Sequence, residues 1–141
     1  MLTCNNMAKA VTHLLNYCAT HPDAIIRYHA SGMVLHIHSD ALFMSEPQAR
    51  SRAGGHFFLS EPSTDPSKPP SSNVPLNGPV HSMCKIMQQV MASAAEAEIG
   101  ALFSNTRKGK ELRLALTEMG HPQPPTPVMT DNSTACRIIN S

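Results

Sequence analysis

Apolar residues recur at helical spacing between Met7 and Cys18, where Val11, Leu14, Leu15 and Cys18 share one face. The pattern stops ahead of His21-Pro22, as helices tend to before a proline, so a short amphipathic helix is predicted over residues 7–18. Residues 24–29 are β-branched and aromatic, 30–32 (Ala-Ser-Gly) read as a turn, and 33–40 alternate in polarity, which predicts a hairpin of two strands. Strand side chains have period two, so Met33, Leu35 and Ile37 take one face of the second strand and His36, His38 and Asp40 the other. That strand is expected to end on an acid. A basic turn containing Arg50 and Arg52 follows, and Gly54-Gly55 then introduces a short third strand at 56–59.

From 60 to 79 the pattern is lost. Pro62, Pro66, Pro69, Pro70, Pro75 and Pro79 stand among Ser, Asn, Asp and Gly, a composition that neither packs a core nor supplies a sheet with backbone donors. This stretch is expected to be an exposed, disordered insertion and not a domain boundary, because neither flank is long enough to fold comfortably alone. Residues 80–91 fit strand or helix, with strand favoured at the start. Ser93-Ala94-Ala95-Glu96 matches a capping box, so a helix is predicted to begin there and to carry Ala95, Ile99, Leu102 and Phe103. The polar run 104–110 predicts a break, after which a second helix carries Leu112, Leu114, Leu116 and Met119 to Gly120. A proline-rich loop at 121–127, a brief strand ending at Asp131, and a last short helix capped by Asn132-Ser133 complete the order. Strands first and helices after, with one more strand, predict an α/β (mixed α+β) fold: a mixed sheet flanked by helices.

Composition narrows what such a fold can do. A length of 141 residues suits one domain, and 41% apolar against 15% charged residues excludes a highly charged disordered chain. A net charge of +1 also excludes binding nucleic acid by bulk charge alone, so any such role has to rest on a site. Four cysteines without a CxxC pair suit neither a zinc ribbon nor a disulfide framework and read as reduced thiols in an intracellular, cytoplasmic protein. No leader pattern or apolar run of membrane-spanning length is present, so no membrane association is expected. With no tryptophan and six other aromatic residues, core volume has to come chiefly from Leu, Ile, Val, Met and Ala.

Three acids fall where chemistry favours them: Asp40 ending one strand, Glu96 or Glu98 in the first turns of a helix, and Asp131 ending another strand. Carboxylates converging from separate elements are what a hard divalent cation and a phosphodiester substrate require. Taken singly, each acid also suits a strand or helix end on the surface. His36 and His38, sharing a strand face with Asp40, offer a zinc alternative, although oxygen-rich neighbours suit magnesium better. No Gly-rich phosphate loop and no supported Ser-His-Asp or Cys-His arrangement is present.

His38-Ser39-Asp40-Ala41, the segment 53–59 (AGGHFFL), the segment 93–102 (SAAEAEIGAL) and the segment 130–135 (TDNSTA) resemble, in that order, the ribonuclease H domain of copia-type retrotransposon polyproteins. The resemblance covers about residues 30–141, and its most specific parts are the A-E-A-E segment and the later T-D-N. Residues 9–17 (KAVTHLLNY) look like the helix that joins the reverse transcriptase body to that domain, so 1–22 is expected to be a connecting helix and 23–141 the ribonuclease-H-like domain.

The resemblance implies an acidic metal site of Asp40, Glu98 and Asp131, with Glu98 favoured over Glu96 because the family's glutamate precedes an apolar run, here Ile99-Gly100-Ala101-Leu102. It implies two Mg²⁺ ions, with Mn²⁺ as a substitute, and hydrolysis of the RNA strand of an RNA–DNA hybrid. Expected partners are that hybrid and the reverse transcriptase domain of the same polyprotein, in the cytoplasm or in virus-like particles. Arg50, Arg52 and Lys85 are the candidate backbone contacts, while Arg107, Lys108 and Lys110 read rather as a solvated loop. The family also carries a fourth acid after its last helix, beyond Ser141, so the domain is expected to be C-terminally truncated and its site incomplete. The alternative is a catalytically inactive structural fragment of a retroelement polyprotein. Integrase-like cores place their glutamate after both aspartates, whereas here it lies between them.

Overall fold

The structure is a computed structural model that describes residues 4–62 and 74–141. Its centre is β1 (Val34–Glu46), which pairs antiparallel with β2 (Arg50–Ser60) in the register Leu35 to Leu59, Ile37 to Phe57 and Asp40 to Gly54. A short 3₁₀ turn (Pro47–Ala49) joins the two strands, with Gln48 and Ala49 at positive φ. β3 (Pro79–Ile86) lies antiparallel on the outer side of β2, and β4 (Val128–Met129) pairs parallel with β1, which gives the order β3-β2-β1-β4. This is the mixed α/β architecture expected, and its sheet is consistent with a ribonuclease-H-like one.

One face of the sheet is covered by α2 (Ala94–Glu118). Leu35, Ile37 and Phe57 from the sheet and Leu116 from α2 form one buried cluster; Ala53, Met87, Ala97 and Ala101 form a second. Small side chains along α2 let helix and sheet approach closely. At Gly109 a Cβ would meet Ile37 Cδ1 at 2.5 Å, so the helix backbone rests directly on β1 there. The predicted break at 104–110 does not occur. Lys and Arg are good helix formers, and the two least helical positions are used inward, Asn105 for hydrogen bonds and Gly109 for contact. A single 25-residue helix results, whose buried side is Ala97, Glu98, Ala101, Leu102, Asn105, Gly109 and Leu116. Phe103, Leu114 and Met119, expected on the packed face, are exposed.

The hairpin predicted at 24–40 is replaced by the β1–β2 pair. Ile25, Ile26 and Tyr28 remain exposed, and residues 27–29 run instead beside the start of β3, where Gly78 N–H donates to Arg27 O at 3.1 Å and His29 N–H to Asn77 Oδ1 at 2.9 Å. β2 outcompetes them because its alternation puts Phe57 under α2 and Phe58 on the opposite face, both with no exposure. The strand predicted at 56–59 is thus eleven residues long and includes Arg50 and Arg52. His36, expected on a polar face, is 1% exposed: its ring stacks on Phe58 at 5.5 Å and its Nε2 donates to Glu61 O at 2.9 Å.

Much of the proline-rich insertion, 63–73, lies outside the described residues. Its described ends join the sheet, since Ser60 closes β2, Pro79 opens β3, and Asn77 Nδ2 donates to His29 O and Leu59 O, each at 2.9 Å. The N-terminal helix α1 (Cys4–Thr20) forms as expected, with Met7, Val11, Leu14 and Leu15 all exposed. After β4, α3 (Ser133–Ile139) starts where Asn132 Oδ1 accepts the Ala135 N–H at 2.9 Å. No helix among the described residues is long and apolar enough to cross a membrane.

Candidate metal centre

Asp40 does not end its strand, because β1 continues to Glu46; it stands mid-strand opposite Gly54. Glu98 is set by the start of α2. Ser93 Oγ accepts the Glu96 N–H at 3.1 Å and Glu96 Oε2 accepts the Ala92 N–H at 2.5 Å, so the capping box forms with the glutamate bonding one residue before the cap. Glu96 is thereby occupied on the exposed side of the first turn, and Glu98 turns inward with 6% exposure.

What holds Glu98 follows from how short β4 is. On the β4 side of β1, Ile37 N–H donates to Pro127 O at 3.1 Å, but β4 ends at Met129, opposite His38. Beyond it the Ala41 N–H is left without a strand partner and donates to Glu98 Oε1 at 3.3 Å. Thr130 Oγ1 donates to Glu98 Oε2 at 3.2 Å and itself accepts the Asn132 N–H at 3.3 Å. Asp131 therefore sits in the turn between β4 and α3, two residues past the strand that was expected to end on it.

One carboxylate oxygen from each of Asp40, Glu98 and Asp131 lies within 4.8 Å of the others, close enough for the three to bind a metal ion. Asp40 and Asp131 are exposed and Glu98 is buried. Burial pushes the Glu98 carboxyl up; its hydrogen bonds from Thr130 and Ala41 pull it down, and the charges of Asp40 and Asp131 push it up again. Each Glu98 oxygen accepts one hydrogen bond and keeps a lone pair, so the residues fit a hard cation that takes oxygen ligands. Among the described residues no group of His36 and His38 with Asp40 reaches ligand distance. The burial of His38, with His56 and His36 nearby, lowers its pKa.

The candidate backbone contacts are not brought together. Arg52 binds Glu46 Oε1 at 2.7 Å through both Nε and Nη2, and its Nη1 donates to Cys84 Sγ at 3.4 Å. Arg50 Nε donates to Pro47 O at 3.3 Å. Lys85 pairs with Ala53 and so projects to the α2 face, opposite to Arg52. It lines a hollow of about 500 Å³ with Phe103, Ser104 and Arg107 of α2. Arg107, Lys108 and Lys110 are helical, not in a loop.

Thr130 and Ser39, to which residue pattern assigns no role, support the acids. A hydroxyl residue stands immediately before each aspartate of the trio, Ser39 before Asp40 and Thr130 before Asp131. Thr130 serves Glu98 directly and Ser39 binds Asn105, contacts across 32 and 66 positions that local pattern does not signal. Comparison of the chain with models of known protein families, with curated proteins and with solved structures found no match.

Proposed function

We propose that the chain is a ribonuclease-H-like domain of a copia-type reverse transcriptase, hydrolysing the RNA strand of RNA–DNA hybrids with Mg²⁺ held by Asp40, Glu98 and Asp131. The observation that carries this reading is the convergence within 4.8 Å of three acids from β1, α2 and the turn after β4, the same three that the family resemblance selects from the chain's ten. Bound there, magnesium supplies Lewis acidity toward a phosphodiester and activates water. The chain's own part is to hold the acids: Ala41 and Thr130 fix both Glu98 oxygens, while the exposed Asp40 and Asp131 stand open to a substrate. On the same reading α1 connects to the reverse transcriptase domain, in the cytoplasm or in virus-like particles.

The test is cleavage of a labelled RNA–DNA hybrid in Mg²⁺ or Mn²⁺ by the parent chain, Asp40→Asn and Glu98→Gln. The parent is expected to cut the RNA strand and each variant to lose activity by about 100-fold or more, since even residues behind metal ligands cost 10–100-fold. Cleavage that survives both substitutions, or a parent that does not cleave, overturns the nuclease reading. A silent parent that still binds Mn²⁺ points to the inactive structural fragment instead.

A further inference from the structure

Asn105 has no exposure at all and lies two helical turns beyond Glu98 on the same side of α2. Its Nδ2 donates to Ser39 Oγ and to Gly54 O, both at 2.8 Å. These acceptors bracket Asp40, for Ser39 precedes it on β1 and Gly54 is its partner across the β1–β2 ladder. A single amide thus ties both central strands to α2 at the register of the first acid, and α2 carries the second acid.

The remaining atom of the amide shows what the tie is for. Asn105 Oδ1 is buried with no hydrogen-bond partner among the described residues and packs over Gly55, where a Cβ would fall on it. A buried carbonyl left unpaired costs stability, and an apolar side chain of that size would fill the space without it. What the amide adds is direction: two short bonds that prevent α2 from sliding along β1 or rotating on it.

We propose that Asn105 is a positioning residue for the metal centre, setting the separation of the Asp40 and Glu98 carboxylates through Ser39 and Gly54 and thereby the affinity for the ion. The inference rests on the metal reading of the acid trio. Its test is Mn²⁺ binding, followed through the electron paramagnetic resonance of the free ion, together with thermal melting of the same samples.

Asn105→Ala is expected to weaken Mn²⁺ binding by about tenfold or more, the scale set by residues that orient metal ligands. Leu116→Ala is the control: its side chain is 7% exposed and lies about 27 Å further along the helix from Glu98. It is expected to lower the melting temperature while the folded protein keeps the parent's affinity. Ser39→Ala removes one of the two bonds and is expected to give a smaller loss of affinity in the same direction; it decides the matter if Asn105→Ala does not fold. Parent affinity in Asn105→Ala, in Ser39→Ala where that variant decides, or an equal loss in Leu116→Ala, overturns the inference alone. A parent that binds no Mn²⁺ overturns the metal reading and the inference together.

Discussion

Glu98 is a carboxylate placed where its charge is costly, buried beside two other acids, and its behaviour with pH follows from that. A folded pKa above the unfolded one means that the folded chain holds the proton more tightly, so stability is lost as pH rises through the interval between the two. Metal binding needs the ionised form and gains over the same interval. In metal-free buffer, Glu98→Gln is therefore expected to melt above the parent at neutral pH. The gap should close as pH falls below roughly 4, the ordinary carboxylate range. A gap independent of pH in the melting profiles would show that Glu98 is not the strained group. That two aspartates and a glutamate belong together was legible from residue types and from the family resemblance. The use of Glu96 as cap partner was legible too, because the Ser93 to Glu96 spacing is local. The roles of Thr130 and Asn105 were not, since each bonds a residue at least thirty positions away.

At the scale of elements, the edge of β1 explains the largest differences from the predicted order. Local pattern favoured a hairpin with residues 24–29, yet β1 pairs with β2 on one side and on the other with a two-residue strand and a side chain. Gln123 acts there as a piece of strand: its Nε2 donates to Met33 O at 2.8 Å and its Oε1 accepts the Leu35 N–H at 3.0 Å. Arg113 of α2 holds this loop through the Gln123 and Pro124 carbonyls and Thr126 Oγ1. Gln123→Ala leaves two partly buried backbone groups, Met33 O just ahead of β1 and the Leu35 N–H within it, without partners and is expected to cost about 1–3 kcal/mol, checked by urea unfolding. A change within a few tenths would show that water replaces the amide. The continuity of α2 was equally hidden, because Asn105 and Gly109 are weak helix formers by local propensity, and they point into contacts that only the sheet supplies.

At the scale of the whole molecule, the buried clusters among the described residues draw on the sheet, α2 and Met87 just past β3, and Ala135 of α3 is also buried. Every described side chain from Met7 to Thr20 is exposed, and Val11, Leu14 and Leu15 touch no core. A chain beginning at residue 23 is therefore expected to melt at the same temperature as the full one by calorimetry, and a clear drop would show that α1 packs on the domain. The sequence by itself determined the fold class and the capping of α2 and α3, because each rests on residue type or on spacing within a few positions; pattern alone left Glu96 and Glu98 open, the choice of Asp40, Glu98 and Asp131 was what the family resemblance implied, and their approach to one another is tertiary. Strand partners, the length of β1, the single α2 and the inward turn of Glu98 were decided by tertiary structure. The physical reason is competition. Several segments carry strand pattern, and the pairing that forms is the one that buries Phe57 and Phe58 on opposite faces while leaving one edge of β1 free for Glu98.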